Sequence, residues 1–161
     1  MWHAAYVGLG SNLDDPAARV RQAFTQLADI SETRLVARSH LYRSAPLGPP
    51  DQPHYVNAVA GLLTQRAPGT LLAALQAIER QHGRDRSGPK WGPRTLDLDL
   101  LLYGELELVT DGLVIPHPHL HERAFVLVPL AEIAPSVRVP GHGRVEQLAS
   151  RCEPDALQLL E

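Results

Sequence analysis

The stretch Leu96 to Tyr103 constrains the fold more than any other segment of the chain. It reads Leu-Asp-Leu-Asp-Leu-Leu-Leu-Tyr. Side chains alternate between the two faces of a strand, so Leu96, Leu98 and Leu100 share one face while Asp97 and Asp99 share the other. The leucine face has to be covered by apolar neighbours. The acidic face has to meet water, donors or cations, because two buried like charges would repel each other and lose their hydration.

The segments around this strand supply its partners. Residues 3–9 read as a first strand, and Gly8-Leu9-Gly10-Ser11-Asn12 after it reads as a tight structural turn. A helix follows, capped by Asp14 or Asp15 and opened by Pro16, with Val20, Ala23, Phe24 and Leu27 at helical spacing. Residues 33–43 alternate as one long strand, with Leu35, Ala37, Ser39 and Leu41 on one side and Val36, Arg38, His40 and Tyr42 on the other. Prolines 46, 49, 50 and 53 make residues 44–54 a loop. Tyr55 to Leu63 returns to strand character. Pro68 opens a second helix whose inner face is Leu71, Leu72, Leu75 and Ile78, and Gly83 ends it.

After residue 103 the elements are short. Glu107 to Val109 reads as a small strand, and 113–128 as a His/Pro-rich turn followed by the apolar run Ala124–Val128. The tail, 129–161, reads as short helices and a strand near 137–139. The order strand–helix–strand–strand–helix–strand predicts an α+β fold, a ferredoxin-like βαββαβ sandwich. Its mostly antiparallel sheet carries helices on its faces, with C-terminal additions. The length of 161 residues, without repeat or linker, predicts a single domain over 1–161.

Composition narrows the chemistry. A formal charge of −3 argues against a dedicated nucleic-acid binder. A lone cysteine, Cys152, excludes an intrachain disulfide and any zinc site built from several cysteines, and points to the cytoplasm. The N-terminus lacks the pattern of a signal peptide, and no apolar run has the length to cross a bilayer, so no membrane role is expected. Nothing in the pattern demands a dimer, and a monomer is expected.

The basic loop before the acidic strand carries the functional signal. Arg84, Arg86, Lys90 and Arg94 lie among Gly88, Pro89, Gly92 and Pro93. Asp97 and Asp99, roughly 7 Å apart, form a pair able to bracket hard cations such as magnesium. By itself an Asp-x-Asp also fits an edge strand with its polar side in water. Arginines delivered beside it favour a phosphate-bearing ligand, since guanidinium forks neutralise phosphate oxygens that a metal bridges. Gly8 and Gly10 do not complete a dinucleotide fingerprint, because Leu13 stands where a third glycine is required, and no P-loop motif is present. The alternating His117, His119 and His121 read as a polar turn more readily than as a transition-metal site. Trp91, in a polar basic loop, suits a lid over a flat ring better than a core.

The segment Lys90-Trp91-Gly92-Pro93-Arg94-Thr95-Leu96-Asp97-Leu98-Asp99 resembles the 6-hydroxymethyl-7,8-dihydropterin pyrophosphokinases of folate biosynthesis. The resemblance extends through Gly10-Ser11-Asn12-Leu13, Tyr42 to Gly48, Tyr55-Val56-Asn57-Ala58, Ile78-Glu79, Pro116-His117-Pro118 and His121 to Leu127. It implies transfer of the diphosphate of ATP to the pterin's hydroxymethyl group, with release of AMP. It implies that Asp97 and Asp99 hold two magnesium ions (Mg2+), and that Arg84 and Arg94 stabilise the transferring phosphates with Arg86 nearby. Gln76, Glu79, Leu98, His117 and Arg123 complete the implied nucleotide side. Ser44, Ala45, Pro46, Leu47, Tyr55, Asn57, Trp91 and Phe125 make up the implied pterin side. The chain departs from the family's usual pattern at Ser44-Ala45, where threonine and proline are frequent, and at Gly112, Val114 and His119.

Overall fold

The computed structural model describes residues 1–13, 15–44, 54–83 and 96–161. Ala45, Pro46, Leu47, Arg84, Arg86, Lys90, Trp91 and Arg94 lie outside the described residues.

The central strand is β1, His3–Ser11. It pairs antiparallel with β4, Tyr55–Thr64, on one side and with β5, Asp97–Tyr103, on the other. On the outer side of β4 lie β2, Thr33–Arg38, and β3, Tyr42–Ser44, at opposite ends of the strand. The sheet runs β10, β3, β4, β1, β5, where β10 is Gln158–Leu159. With α1 (Pro16–Ala28) after β1 and α2 (Pro68–Gln81) after β4, this is the expected ferredoxin-like arrangement.

Helices cover both faces. Ala5, Val7 and Leu9 of β1, Ala58, Ala60 and Leu62 of β4, and Leu98 and Leu100 of β5 share one buried cluster with Phe24, Leu27, Leu71 and Leu75 of α1 and α2. The opposite face packs Val59, Leu101 and Leu102 against α3, Ala124–Ile133, and α4, Val145–Ala149. Two hairpin-like pairs complete the C-terminal additions: β6 (Leu108–Val109) with β7 (Val114–Ile115), and β8 (Arg138–Val139) with β9 (Gly143–Arg144). Among the described residues, no helix is long and apolar enough to cross a membrane.

The helix ends follow the expected chemistry. Asp15 caps α1, its carboxylate accepting the Ala18 N–H at 3.4 Å, and Pro16 takes the first turn. Gly83, at φ 78°, follows the C-cap of α2 in the left-handed conformation that a glycine adopts without steric cost.

Three local expectations are corrected. Residues 8–11 form no turn: Gly8, Gly10 and Ser11 continue β1 and are paired on the sheet. The long strand over 33–43 is two strands. Between them the ladder to β4 passes through the Ser39 side chain, whose Oγ accepts the Val59 N–H at 2.9 Å. Leu41 there turns to the C-terminal segment, donating its N–H to the Glu161 carbonyl at 2.8 Å and accepting that of Leu160 at 2.8 Å. A register shift between Leu35 and Ala37 also breaks the predicted alternation. Leu35 packs on the α1 side, while Ala37 lies beside Gly61 on the α3 side. Arg38 consequently returns to the α1 side, its guanidinium 4.5 Å from the centre of the Phe24 ring. Finally, the apolar run 124–128 continues as helix through Pro129 to Ile133.

Phe24 is completely buried in the core between α1 and the sheet. Phe24→Ala should destabilise the protein by about 3–5 kcal/mol, read as a fall in the midpoint of urea unfolding with little change in slope.

Candidate active site

The polar residues of the sheet gather on the α3 face because of strand register. Tyr42 of β3 is paired with Asn57 of β4, Asn57 with Gly10 of β1, and Gly10 with Asp97 of β5. In the neighbouring row Val59, Gly8 and Asp99 align in the same way. Residues opposite one another share a face, and so do residues two apart along a strand. Asn57, Asp97 and Asp99 therefore stand on one surface, with two glycines as the floor between them. Two strand spacings separate Asn57 from Asp97, roughly 10 Å.

Gly10 lets its neighbour come close. A Cβ on it would meet the Asn57 side-chain nitrogen at 3.2 Å. Asn57 is almost fully buried, and its Oδ1 accepts a hydrogen bond from the Ser44 hydroxyl at 2.6 Å. The amide is thus held with its oxygen toward β3 and its nitrogen toward β1. Tyr55 lies on the same face two residues earlier in β4 and is half-buried.

The acidic side is built around β5. Asp97 is half-buried and Asp99 exposed. Between them, the Leu98 N–H donates to a carboxylate oxygen of Glu79 at 2.9 Å. Glu79 is only 2% exposed, so this contact ties α2 to the strand at the residue between the two acids. Gln76, one helical turn earlier on α2, is half-buried.

His117 is fastened beside the same strand, donating its N–H to the Leu101 carbonyl at 3.0 Å. Burial pushes its imidazole below the usual histidine range. The Asp99 carboxylate opposes that shift, and Arg123 and His119 add to it. Its Nδ1 accepts the His119 N–H at 3.3 Å, which assigns the proton of the neutral ring to Nε2. Arg123 precedes α3 and lies over the ring of Phe125, 5.5 Å from its centre. The structure thus brings Asp99 and Arg123 each within electrostatic reach of His117. His119 and His121 turn instead toward Glu122, and His121 stacks on His142 with ring centres 3.8 Å apart.

The face has a second anchoring cluster that the sequence did not single out. Glu132, in the last turn of α3, accepts hydrogen bonds from the His40 N–H at 3.1 Å, the His40 Nδ1 at 2.7 Å and the Tyr42 hydroxyl at 2.6 Å. Burial acts to raise the Glu132 pKa, but the hydrogen bonds from Tyr42 and His40 outweigh it and hold the carboxyl below its usual range. Tyr42 is pushed up to about 12, first by burial and then by the hydrogen bond and charge of Glu132. Ninety residues separate Tyr42 from Glu132, so no local spacing announces the contact.

The donor chemistry of this face fits magnesium. Two carboxylates on one strand face are hard oxygen ligands, of the kind that ion takes together with waters and substrate phosphates. No group of three or more His, Cys, Asp or Glu residues that could hold a metal occurs among the described residues. A protein contribution of two carboxylates suits an ion that keeps much of its coordination for water and phosphate.

The fold is an α+β sandwich whose α3-side face sets a buried amide and two carboxylates on the strands flanking β1, with Gly8 and Gly10 between them. Residues 6–135 match the family described as 7,8-dihydro-6-hydroxymethylpterin-pyrophosphokinase (HPPK). A 2-amino-4-hydroxy-6-hydroxymethyldihydropteridine pyrophosphokinase of Pseudomonas aeruginosa is 49% identical over 160 residues, covering 99% of this chain and 98% of its own. The enzyme of the same name from Haemophilus influenzae is 46% identical over 147 residues, covering 91% of each. In structure, the Plasmodium falciparum HPPK-DHPS with pteroate superposes with a TM-score of 0.73 at 14% identity, over 94% of this chain and 42% of that longer one. The chain belongs to the 7,8-dihydro-6-hydroxymethylpterin-pyrophosphokinase family. Its reaction is pyrophosphoryl transfer to the hydroxymethyl group of the dihydropterin, in folate biosynthesis.

Gly10→Ala tests the floor of the site. The added methyl should displace the Asn57 amide by a few tenths of an ångström while leaving the strand paired. The side-chain amide resonances of Asn57 should shift in the NMR spectrum, with the thermal midpoint within a few degrees of the parent. Unchanged resonances would show that the two residues are not in contact.

Proposed function

We propose that the diphosphate comes from ATP, that AMP is the leaving product, and that Asp97 and Asp99 hold two magnesium ions on which the triphosphate is carried. The observation that supports this most directly is the row Asn57, Gly10, Asp97 across three adjacent strands. It sets an amide suited to a heterocycle edge and a carboxylate pair suited to a metal–phosphate group about two strand spacings apart. We assign the hydroxymethyl arm and the diphosphate to the interval between them, across the Gly10 position.

Asp97 and Asp99 would hold the magnesium, whose charge would offset the repulsion that an incoming hydroxyl meets at the phosphates. The residues of the chain supply the rest. Asn57 can donate and accept toward a pterin edge, with Tyr55 and Phe125 as apolar walls and Ser44 at the rim. Ala45, Pro46, Leu47 and Trp91 are assigned to the same side by the family pattern. On the nucleotide side, Gln76, Glu79 and Leu98 line the α2 edge of the strand. The Nε2–H of neutral His117 and the Arg123 guanidinium are donors suited to phosphate oxygens. Arg84, Arg86 and Arg94 supply the further positive charge that transfer of a diphosphate needs. The new bond joins the pterin hydroxymethyl oxygen to the β-phosphorus, the α–β bridge breaks, and the hydroxyl proton leaves to solvent. Positioning and charge neutralisation account for such a transfer, and no strong base is required.

We further propose that residues 1–161 work as one pyrophosphokinase domain, as a monomer in the cytoplasm. The near-complete coverage of the Pseudomonas enzyme supports the first point, and the single cysteine fits a reducing compartment.

Incubation with ATP, magnesium and the hydroxymethyl dihydropterin should yield AMP in step with pterin consumption when the adenine nucleotides are resolved. Pterin-dependent ADP without AMP would overturn the proposal. Asp97→Ala and Asp99→Ala should each lower kcat by at least on the order of a hundredfold while circular dichroism stays that of the parent. An active Asp97→Ala enzyme would remove the pair from the metal site.

A further inference from the structure

We propose that Glu132 and Tyr42 form a positioning clamp that sets the pterin side of the site, although neither residue is placed in the binding or catalytic machinery. The proposal rests on the assignment of Asn57 to the pterin pocket.

The clamp joins the two elements that form that pocket. Helix α3 runs across the polar face of the sheet for roughly 15 Å. Its first turn carries Phe125, with Arg123 immediately before it, and its last turn carries Glu132. Strand β3 is three residues long and ends at Ser44, where the chain leaves the described residues toward Ala45 to Leu47. So short a strand has only three paired positions with β4 and two with the two-residue β10. Glu132 fixes it from above: one carboxylate receives donors from the His40 backbone, the His40 ring and the Tyr42 hydroxyl.

The effect of that contact reaches Asn57 by two short routes. Tyr42 is the direct cross-strand partner of Asn57. Ser44, two residues after Tyr42 and on the same face, donates its hydroxyl to the Asn57 Oδ1 at 2.6 Å. If β3 shifts relative to α3, Ser44 moves with it, and the Asn57 amide loses the contact that fixes which end is oxygen. Phe125 and Asn57 approach the pocket from different elements, so the spacing between them is also the spacing the clamp sets. Asp97 and Asp99 stand on β5, beyond β1, and are tied to α2 through Leu98 and Glu79. The clamp therefore acts first on β3 and Asn57, at the far end of α3 from Arg123, while the acidic strand is held separately.

All the donors converge on oxygens that only accept, so the carboxylate form of Glu132 is the one that fits. His40 is exposed, and its side chain can leave without opening the sheet. The Tyr42 hydroxyl is the contact that lies beside Asn57. Its removal in Tyr42→Phe keeps the aromatic body and the strand pairing.

The test compares Tyr42→Phe, Glu132→Ala, the double variant and Asn57→Ala in steady state, with both substrates varied. Tyr42→Phe and Glu132→Ala should each raise KM for the hydroxymethyl dihydropterin, on the order of fivefold for a charge-assisted hydrogen bond lost at one remove. KM for ATP and kcat should stay within about twofold of the parent. The double variant should be no worse than Glu132→Ala alone, because the two changes remove one shared interaction. The proposal is overturned if both single variants keep the parental KM for the pterin while Asn57→Ala raises it. It is equally overturned if KM for both substrates rises together with a fall in kcat, which is the result of general loosening. A parental KM in Asn57→Ala would instead remove Asn57 from the pocket, and the clamp would lose its role with it. Should Glu132→Ala fail to fold, Tyr42→Phe alone decides the matter by the same KM split.

Discussion

The candidate site is organised by one central strand, β1, which carries glycine at positions 8 and 10 of its α3-side face. β1 is paired along both edges and packed by Ala5, Val7 and Leu9 below. Above, Gly8 and Gly10 let neighbouring side chains come close to the strand: Leu101 lies 3.5 Å from where a Cβ of Gly8 would stand, and the Asn57 amide nitrogen 3.2 Å from that of Gly10. The pairing of a central strand along both edges and the small residues on its upper face are independent properties, and the proposed site uses both. A flexible strand would not hold Asn57 and Asp97 at a set spacing, and a side chain at position 10 would press on the Asn57 amide.

Around that strand, each polar group is fixed by a contact from another element. Leu98 is held by Glu79 from α2, Asn57 by Ser44 from β3, and β3 by Glu132 from α3. Such contacts matter more to a transfer reaction than to stability. A misplacement of an ångström costs little in folding but a large factor in rate, because the reacting groups must meet in line. The apolar clusters on the two sheet faces supply the stability, and the polar contacts between elements supply the registration.

Much of this was legible in the sequence. The alternation over 96–103 placed Asp97 and Asp99 on one face, and β5 with its register to β1 bears that out. Asp15, Pro16 and Gly83 marked the helix ends by local chemistry that needs no partner. What failed did so where distant residues decide. Gly8 and Gly10 look like turn residues when read locally; their paired position follows from β4 and β5 flanking them. The strand over 33–43 looks continuous until Val36 is seen as a bulge and Ser39 as a side-chain substitute in the ladder. Glu132 gave no sign at all, since an acid in an apolar helix turn acquires its meaning only when Tyr42 and His40 arrive from ninety residues away. The pairing of Asn57 with the acidic strand through Gly10 was likewise invisible, because register is a property of three strands at once.

The bulge at Val36 also bears on how the protein behaves among copies of itself. β2 borders the sheet, and a flat border strand offers its unpaired amides to any other strand. Here the ladder is interrupted midway, with exposed Arg34 and Arg38 flanking the irregularity. A second chain laid along that border would lose its register at the bulge and bring like charges together. The irregularity that spoils the reading of β2 from sequence is thus a guard against edge-to-edge aggregation, built into the strand with no partner of its own on its outer side among the described residues.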